Sequence, residues 1–200
     1  MKSLTRLKIF LFLLFGTLFT DGLLIAQPAT WEIDPEHFSI VFEAEHIGYQ
    51  SQLGFFLEGS GEFDFDPETF EFFSGRVEIQ SGSIFSNNDD RDDHLNGRDF
   101  LNSRRYPKVI FEADDFLPNQ QQSGGELRGN LTLLGMTHPI ILDVELNKLA
   151  KYPFGHRKET IGVSASTVIE RSKWGMDYGV LNNMVGDNVK LRFEFEAVQK

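Results

Sequence analysis

The 200-residue sequence contains no cysteine, which excludes disulfides, cysteine-ligated zinc, iron–sulfur clusters and a thiol nucleophile together. Basic residues are scarce: 19 Lys and Arg stand against 30 Asp and Glu, for a formal charge of −11. Nucleic-acid binding needs a basic footprint, and electrostatic docking on anionic lipid needs basic clusters, so neither class fits. G-x-S-x-G elbows, phosphate-binding glycine loops and dinucleotide fingerprints are also missing. The five histidines, His37, His46, His94, His138 and His156, include no pair at close metal-ligand spacing. No metal or cofactor is therefore expected. What the chain has in excess is phenylalanine, 20 residues of it.

The one long apolar run stands at the start. Lys2, Arg6 and Lys8 precede Ile9–Phe19, and Leu23-Leu24-Ile25-Ala26 leads to Gln27. A basic head, about a dozen apolar residues and a small residue read as a secretory signal peptide over 1–26, with Ala26 the candidate cleavage residue. Thr20, Asp21 and Gly22 break the run short of the ~20 residues that span a bilayer, so no stable span is expected after cleavage. Excision removes three basic residues and one acid, leaving 16 positive against 29 negative, or −13 over 174 residues. Four phenylalanines leave and sixteen stay, so the excess belongs to the domain at 27–200. No linker or repeat divides that domain. Without crosslinks, its stability must come from packing.

Residues 27–200 alternate with period two, the mark of strands with one buried face. Phe38, Ile40, Phe42 and Ala44 oppose His37, Ser39, Val41 and Glu43. The segment 55–65 reads as one strand with Phe55, Leu57, Gly59, Gly61, Phe63 and Phe65 on its apolar face. Further faces carry Val77 and Ile79; Val109, Phe111 and Ala113; Leu127, Gly129, Leu131 and Leu133; and Ile140, Leu142, Val144 and Leu146. The last two carry Ile161, Val163, Ala165 and Ile169, and then Val189, Leu191, Phe193, Phe195 and Ala197. One helix is predicted near 88–102, with Asn87 or Asn88 as cap and Asp89-Asp90 in its first turn. Eight strands and little helix predict an all-β sandwich or closed barrel. Its aromatic faces with interspersed glycines fit either a filled core or an apolar slot in which glycines leave gaps.

The densest polar stretch, Asn87–His94, lacks the glycine and the twelfth-position glutamate of a calcium loop and reads as a capped, solvated helix start. Asn130-Leu131-Thr132 fits a glycosylation sequon but falls inside a strand. Nothing among these residues nominates an enzyme.

Several blocks nevertheless occur in a telling order: I-D-P-x-H at 33–37, continuing to S-I-V-F at 39–42, H-I-G at 46–48, R-D-D-H-L at 91–95 and D-F at 99–100. Y-P-K-V-I-F at 106–111, G-N-L-T-L-L-G-M-T-H-P-I at 129–140 and R-S-K-W-G-M at 171–176 follow. From Trp31 to about Val198 the sequence resembles the YceI-like lipid-binding family. Two places depart from the family pattern: Lys173-Trp174, where an acid and Phe are common, and Tyr49–Gln52 after His46.

The resemblance implies an eight-stranded, antiparallel, lipocalin-like barrel with an elongated apolar cavity. It also implies an exported bacterial protein, periplasmic or extracellular, that holds a polyisoprenoid or similar long-chain fatty lipid; it does not imply catalysis, and no enzyme is expected. On that basis the candidate ligand-binding residues are Phe38, Ile40, Phe42, Phe63, Phe65, Val77, Ile79, Phe111, Leu131, Leu133, Leu142, Val144, Val163, Leu191, Phe193 and Phe195. Arg91, His94, Arg98 and Trp174, near family blocks, are candidates for the lipid headgroup, an arginine being suited to phosphate. Two alternatives stay open: an enzyme modifying such lipids through His94 and a carboxylate, and a structural, stress-related barrel with a filled core. A homodimer is compatible with the acidic outer faces.

Overall fold

The computed structural model describes residues 28–200; the signal peptide read at 1–26 lies outside the described residues. Its strands are β1 (Ala29–His46), β2 (Gln50–Phe56), β3 (Gly59–Asp66), β4 (Glu71–Gln80) and β5 (Ile84–Phe85), then β6 (Lys108–Pro118), β7 (Gly124–Leu133), β8 (Met136–Lys151), β9 (Glu159–Glu170) and β10 (Val185–Gln199). A short helix, α1 (Asp89–Leu95), lies between β5 and β6. Neighbours pair antiparallel, and β10 pairs with β9 on one side and β1 on the other. That last pairing closes the sheet and removes the free edges an open sheet would carry.

The stretch 55–65 is not one regular strand. It breaks at Leu57 and Glu58, against the 3-10 turn Ser81–Ser83: Leu57 N donates to Ser83 O and Gln80 N donates to Glu58 O, both at 3.0 Å. β2 and β3 still act as one stave, because β2 pairs with the C-terminal half of β1 and β3 with its N-terminal end. β5 likewise extends β4 beyond the turn and pairs with β2. The result is the eight-stranded antiparallel barrel that the alternation and the resemblance predicted.

The break flips side-chain parity, as an inserted residue must in a period-two structure. Gly54 and Phe56 turn inward, while Phe55 and Leu57, expected on the apolar face, are exposed. Beyond the break, Phe63 and Phe65 return to the interior.

α1 is also shorter than the 88–102 expected. Asn88 caps it, its Oδ1 accepting from Arg91 N at 2.9 Å, and Asp89, Asp90 and Asp92 occupy the first turn. Asn96-Gly97 then ends it, since both residues favour a stop. The chain folds back through Leu101 N to Leu95 O and Asn102 N to Gly97 O.

Packing concentrates at the two ends of the barrel. At one end Trp31, Ile33, Phe65, Ile161 and Ala197 form a buried cluster, and Trp31 Nε1 donates to Phe65 O at 3.0 Å. At the end carrying α1, Phe42, Phe100, Leu101, Leu133, Trp174 and Met176 form the other, and Trp174 Nε1 donates to Leu131 O at 3.1 Å. Each indole thus fills an end with its ring and satisfies its one donor on the wall, as a buried Trp requires.

Candidate functional site

Between these end clusters the barrel encloses a cavity of about 590 Å³, within the usual range of small-molecule sites. Every apolar residue nominated from the sequence lies on its wall: Phe38, Ile40 and Phe42 from β1, Phe63 and Phe65 from β3, Val77 and Ile79 from β4, and Phe111 from β6. Leu131 and Leu133 from β7, Leu142 and Val144 from β8, Val163 from β9, and Leu191, Phe193 and Phe195 from β10 complete the nominated set. Register explains the convergence. Phe38 faces Phe195, Ile40 faces Phe193 and Phe42 faces Leu191 across the closing β1–β10 pair, so alternate residues of both strands share the inner surface. Phe38 and Phe195 meet edge to face with centroids 5.7 Å apart, the arrangement their ring quadrupoles favour. An interior with this void is not the filled core of the structural alternative.

Glycine does not create the space. A Cβ on Gly54 would lie 2.3 Å from Phe42 Cζ, and one on Gly129 would lie 2.7 Å from the Phe111 ring and 2.3 Å from Glu112 O. The space beside these glycines is taken by the rings of Phe42 and Phe111.

The wall also includes residues the alternation did not nominate, among them Phe56, Phe72, Phe116, Phe100 and Tyr178. Phe56 was hidden by the parity flip. Phe72 precedes an irregularity that pairs Phe65 with Phe72 but Asp64 with Ser74, and Phe116 follows another between Ala113 and Asp115. Phe100 and Tyr178 sit in turns, where periodicity carries no signal.

The headgroup candidates separate. Arg91 and His94, on α1, line the cavity. Arg91 Nε donates to Ser86 Oγ and its Nη2 to Ser86 O, so the guanidinium is held in place while Nη1 has no hydrogen-bond partner among the described residues. His94 Nε2 lies 3.2 Å from Asp99 Oδ2, and its ring meets Phe100 and Tyr178 edge on. Arg98 is exposed and off the cavity wall, because α1 ends before reaching it. Trp174 is buried behind the wall, with its N–H already bonded to Leu131 and its ring against His138. Neither side chain is on the cavity wall.

Arg171 is the unforeseen polar residue of the site. It lines the cavity and is 2% exposed. Its guanidinium donates to four carbonyls: Nε to Gly186, Nη1 to Met176, and Nη2 to both Tyr178 and Val185. Burial pulls its pKa below the ordinary guanidinium value, against the pull of Asp187 and Asp177. In the sequence its signal is its place as the first residue of the R-S-K-W-G-M block.

Among the described residues, the group whose ligand atoms approach as a metal site would require is Asp34, His37 and Glu196, all within 4.8 Å. None of the three lines the cavity. His37 Nδ1 is already joined to Asp34 Oδ2 at 2.7 Å, so the group is accounted for as a surface ion pair. Among the described residues no helix is long and apolar enough to cross a membrane.

In comparison with known families, residues 31–197 match the YceI-like domain. The chain belongs to that family. The UPF0312 protein of Pseudomonas fluorescens is 31% identical over 179 residues, covering 86% of this chain and 87% of that protein. Among solved structures, the Campylobacter jejuni YCEI protein is 32% identical, with a TM-score of 0.67 over 74% of this chain and 84% of that one. A polyisoprenoid binding domain from Saccharophagus degradans shares the fold at 13% identity, with a TM-score of 0.64 over 87% of this chain and all of that domain.

Proposed function

We propose that this YceI-like protein is an exported binding protein that holds a long-chain apolar lipid, above all an isoprenoid, inside the barrel for sequestration or transport. The observation that carries the reading is the closed barrel around a cavity of about 590 Å³ walled by phenylalanine and aliphatic side chains. Moving an apolar chain from water into such a lining contributes about 0.8 kcal/mol per buried CH₂. A tail of on the order of ten carbons therefore gains roughly 8 kcal/mol before the costs of immobilisation. The Phe-rich wall has few polar groups to desolvate, so it suits a branched or unsaturated hydrocarbon better than a sugar or peptide.

In this proposal the polar end of the lipid lies at the α1 end, where Arg91 and His94 stand. Arg91, anchored through Ser86 with Nη1 directed elsewhere, would meet a phosphate or carboxylate. The Saccharophagus degradans neighbour is described as binding polyisoprenoid, which agrees with the reading. At that identity it supports the fold only, and the ligand class rests on the cavity. Export through the leader at 1–26, residence in the periplasm, and binding rather than catalysis belong to the same proposal.

The test is to express the whole chain with its leader, purify it natively, extract with organic solvent and identify the lipid by mass spectrometry. The expected result is a long-chain lipid near one per protein. Recovery of no lipid from exported protein would overturn the reading.

A further inference from the structure

We infer that the α1 end of the barrel docks on the surface of a zwitterionic bilayer through two adjacent loop tips, one carrying Tyr49 and the other Leu181. The inference rests on the lipid-binding reading above and adds the partner from which such a ligand is taken or to which it is given.

Leu181 is 99% exposed and Tyr49 is 89% exposed. Single exposed apolar residues are ordinary on a protein surface; their placement here is what matters. Leu181 stands in a tight turn closed by Val185 N and Met184 N, both donating to Gly179 O. Ile47 N donates to Met184 O at 3.2 Å, which fixes the turn carrying Tyr49 directly beside it. Ile47 and Met184 are themselves partly exposed, so the two tips together present four apolar side chains, with Asn182 and Asn183 exposed among them.

That patch runs into the cavity. Met184 and Tyr178 both line the cavity and remain substantially exposed, as do His46 and Glu45 at the end of β1. A lipid leaving along this path would pass from the Phe-lined interior over Met184 and Tyr178, beside Glu45 and His46, to Tyr49 and Leu181. Tyrosine, apolar in its ring and polar at its tip, favours the membrane–water boundary, and leucine enters just below it.

Charge selects the kind of membrane. The helix α1 beside the mouth carries Asp89, Asp90, Asp92 and Asp93 against Arg91, and residues 27–200 carry −13. The net negative charge opposes approach to anionic lipid, so docking comes from apolar insertion into a neutral, zwitterionic surface. Such binding is insensitive to salt, because no screened ion pairs hold it.

Flotation of the purified protein with phosphatidylcholine vesicles tests the inference, with bound lipid measured on the same preparation. The wild-type chain is expected to float with the vesicles equally at low and high salt, and less when phosphatidylglycerol is added. Leu181→Asp combined with Tyr49→Asp should lower the partition at least tenfold, with circular dichroism and bound lipid unchanged. Wild-type protein that carries lipid yet stays off the vesicles would sink the docking inference and leave the binding function standing. Protein without bound lipid would sink both. Equal flotation of the double variant would also overturn it. So would a concentration-dependent dimer abolished by the same changes in vesicle-free protein, which would assign the patch to a second copy of the chain.

Discussion

Ala165 offers a direct test of whether the barrel interior receives a ligand. It lies on β9 facing the cavity, opposite Phe193 on β10 and Val144 on β8, and is 6% exposed. In a fully packed interior, Ala165→Phe would force neighbouring side chains off their rotamers at a cost of about 1–3 kcal/mol. At roughly 2–4 °C per kcal/mol for a chain of this size, Tm would fall by several degrees. In a barrel with about 590 Å³ open, the ring instead finds space and covers part of the wall. A phenylalanine side chain buries at least about 150 Å². If that contact is taken from a bound tail, about 25 cal/mol per Å² gives a loss near 4 kcal/mol, or almost three decades in affinity. Lipid-stripped wild type and variant would be titrated with a fluorescent polyene fatty acid, and their melting compared by circular dichroism. The expected outcome is a Tm within about 2 °C of wild type and an affinity lower by a factor of roughly 100–1,000. A variant that melts many degrees lower while its remaining folded fraction binds normally would refute the reasoning.

Arg171→Met should destabilise the barrel by several kcal/mol, on the order of 3–5, because four inward carbonyls lose their donor at once. Arg171→Lys should restore only part of this, since an ammonium cannot reproduce the guanidinium fork; urea unfolding of both variants checks the ranking. At the surface, His37 is raised chiefly by its hydrogen bond to Asp34, and Asp34 is lowered chiefly by the same bond. A raised histidine contributes stability that is present in full below its ordinary value and lost as pH rises through the folded value. A lowered carboxylate contributes stability present above its ordinary value and lost as pH falls through the folded one. The pair therefore works between those limits, and an NMR titration should place the His37 midpoint above that of an ordinary histidine and return it on Asp34→Asn. An unshifted midpoint in the wild-type protein would contradict the contact.

Most of the wall of the candidate site was legible because the relevant signal is local. In β10, Leu191, Phe193 and Phe195 alternate with Lys190, Arg192 and Glu194 without interruption, so the inner face follows from counting by two. Counting failed wherever the count was broken. Leu57 and Glu58 are unremarkable residues in sequence, yet the turn at Ser81–Ser83 makes them a break and exchanges Phe55 for Phe56 inside the barrel. The headgroup candidates separate for another reason. Arg98 and Trp174 lie close in sequence to residues at the mouth, but the stop at Asn96-Gly97 and the hydrogen bond to Leu131 carry them elsewhere.

By itself the sequence determined the absence of thiol chemistry, the acidic surface and the eight alternating stretches, because composition and period two need no knowledge of distant neighbours. It also determined which phenylalanines of the uninterrupted strands share a face. Tertiary structure alone decided that the faces enclose a void, since a void is the difference between what opposing walls could fill and what they do fill, and only closure of β1 on β10 sets that distance. It alone decided that rings take the space beside glycines, Phe42 at Gly54 and Phe111 at Gly129. It likewise decided that Arg171 is buried, because the four carbonyls that make its charge tolerable come together only when the 176–186 segment wraps around it.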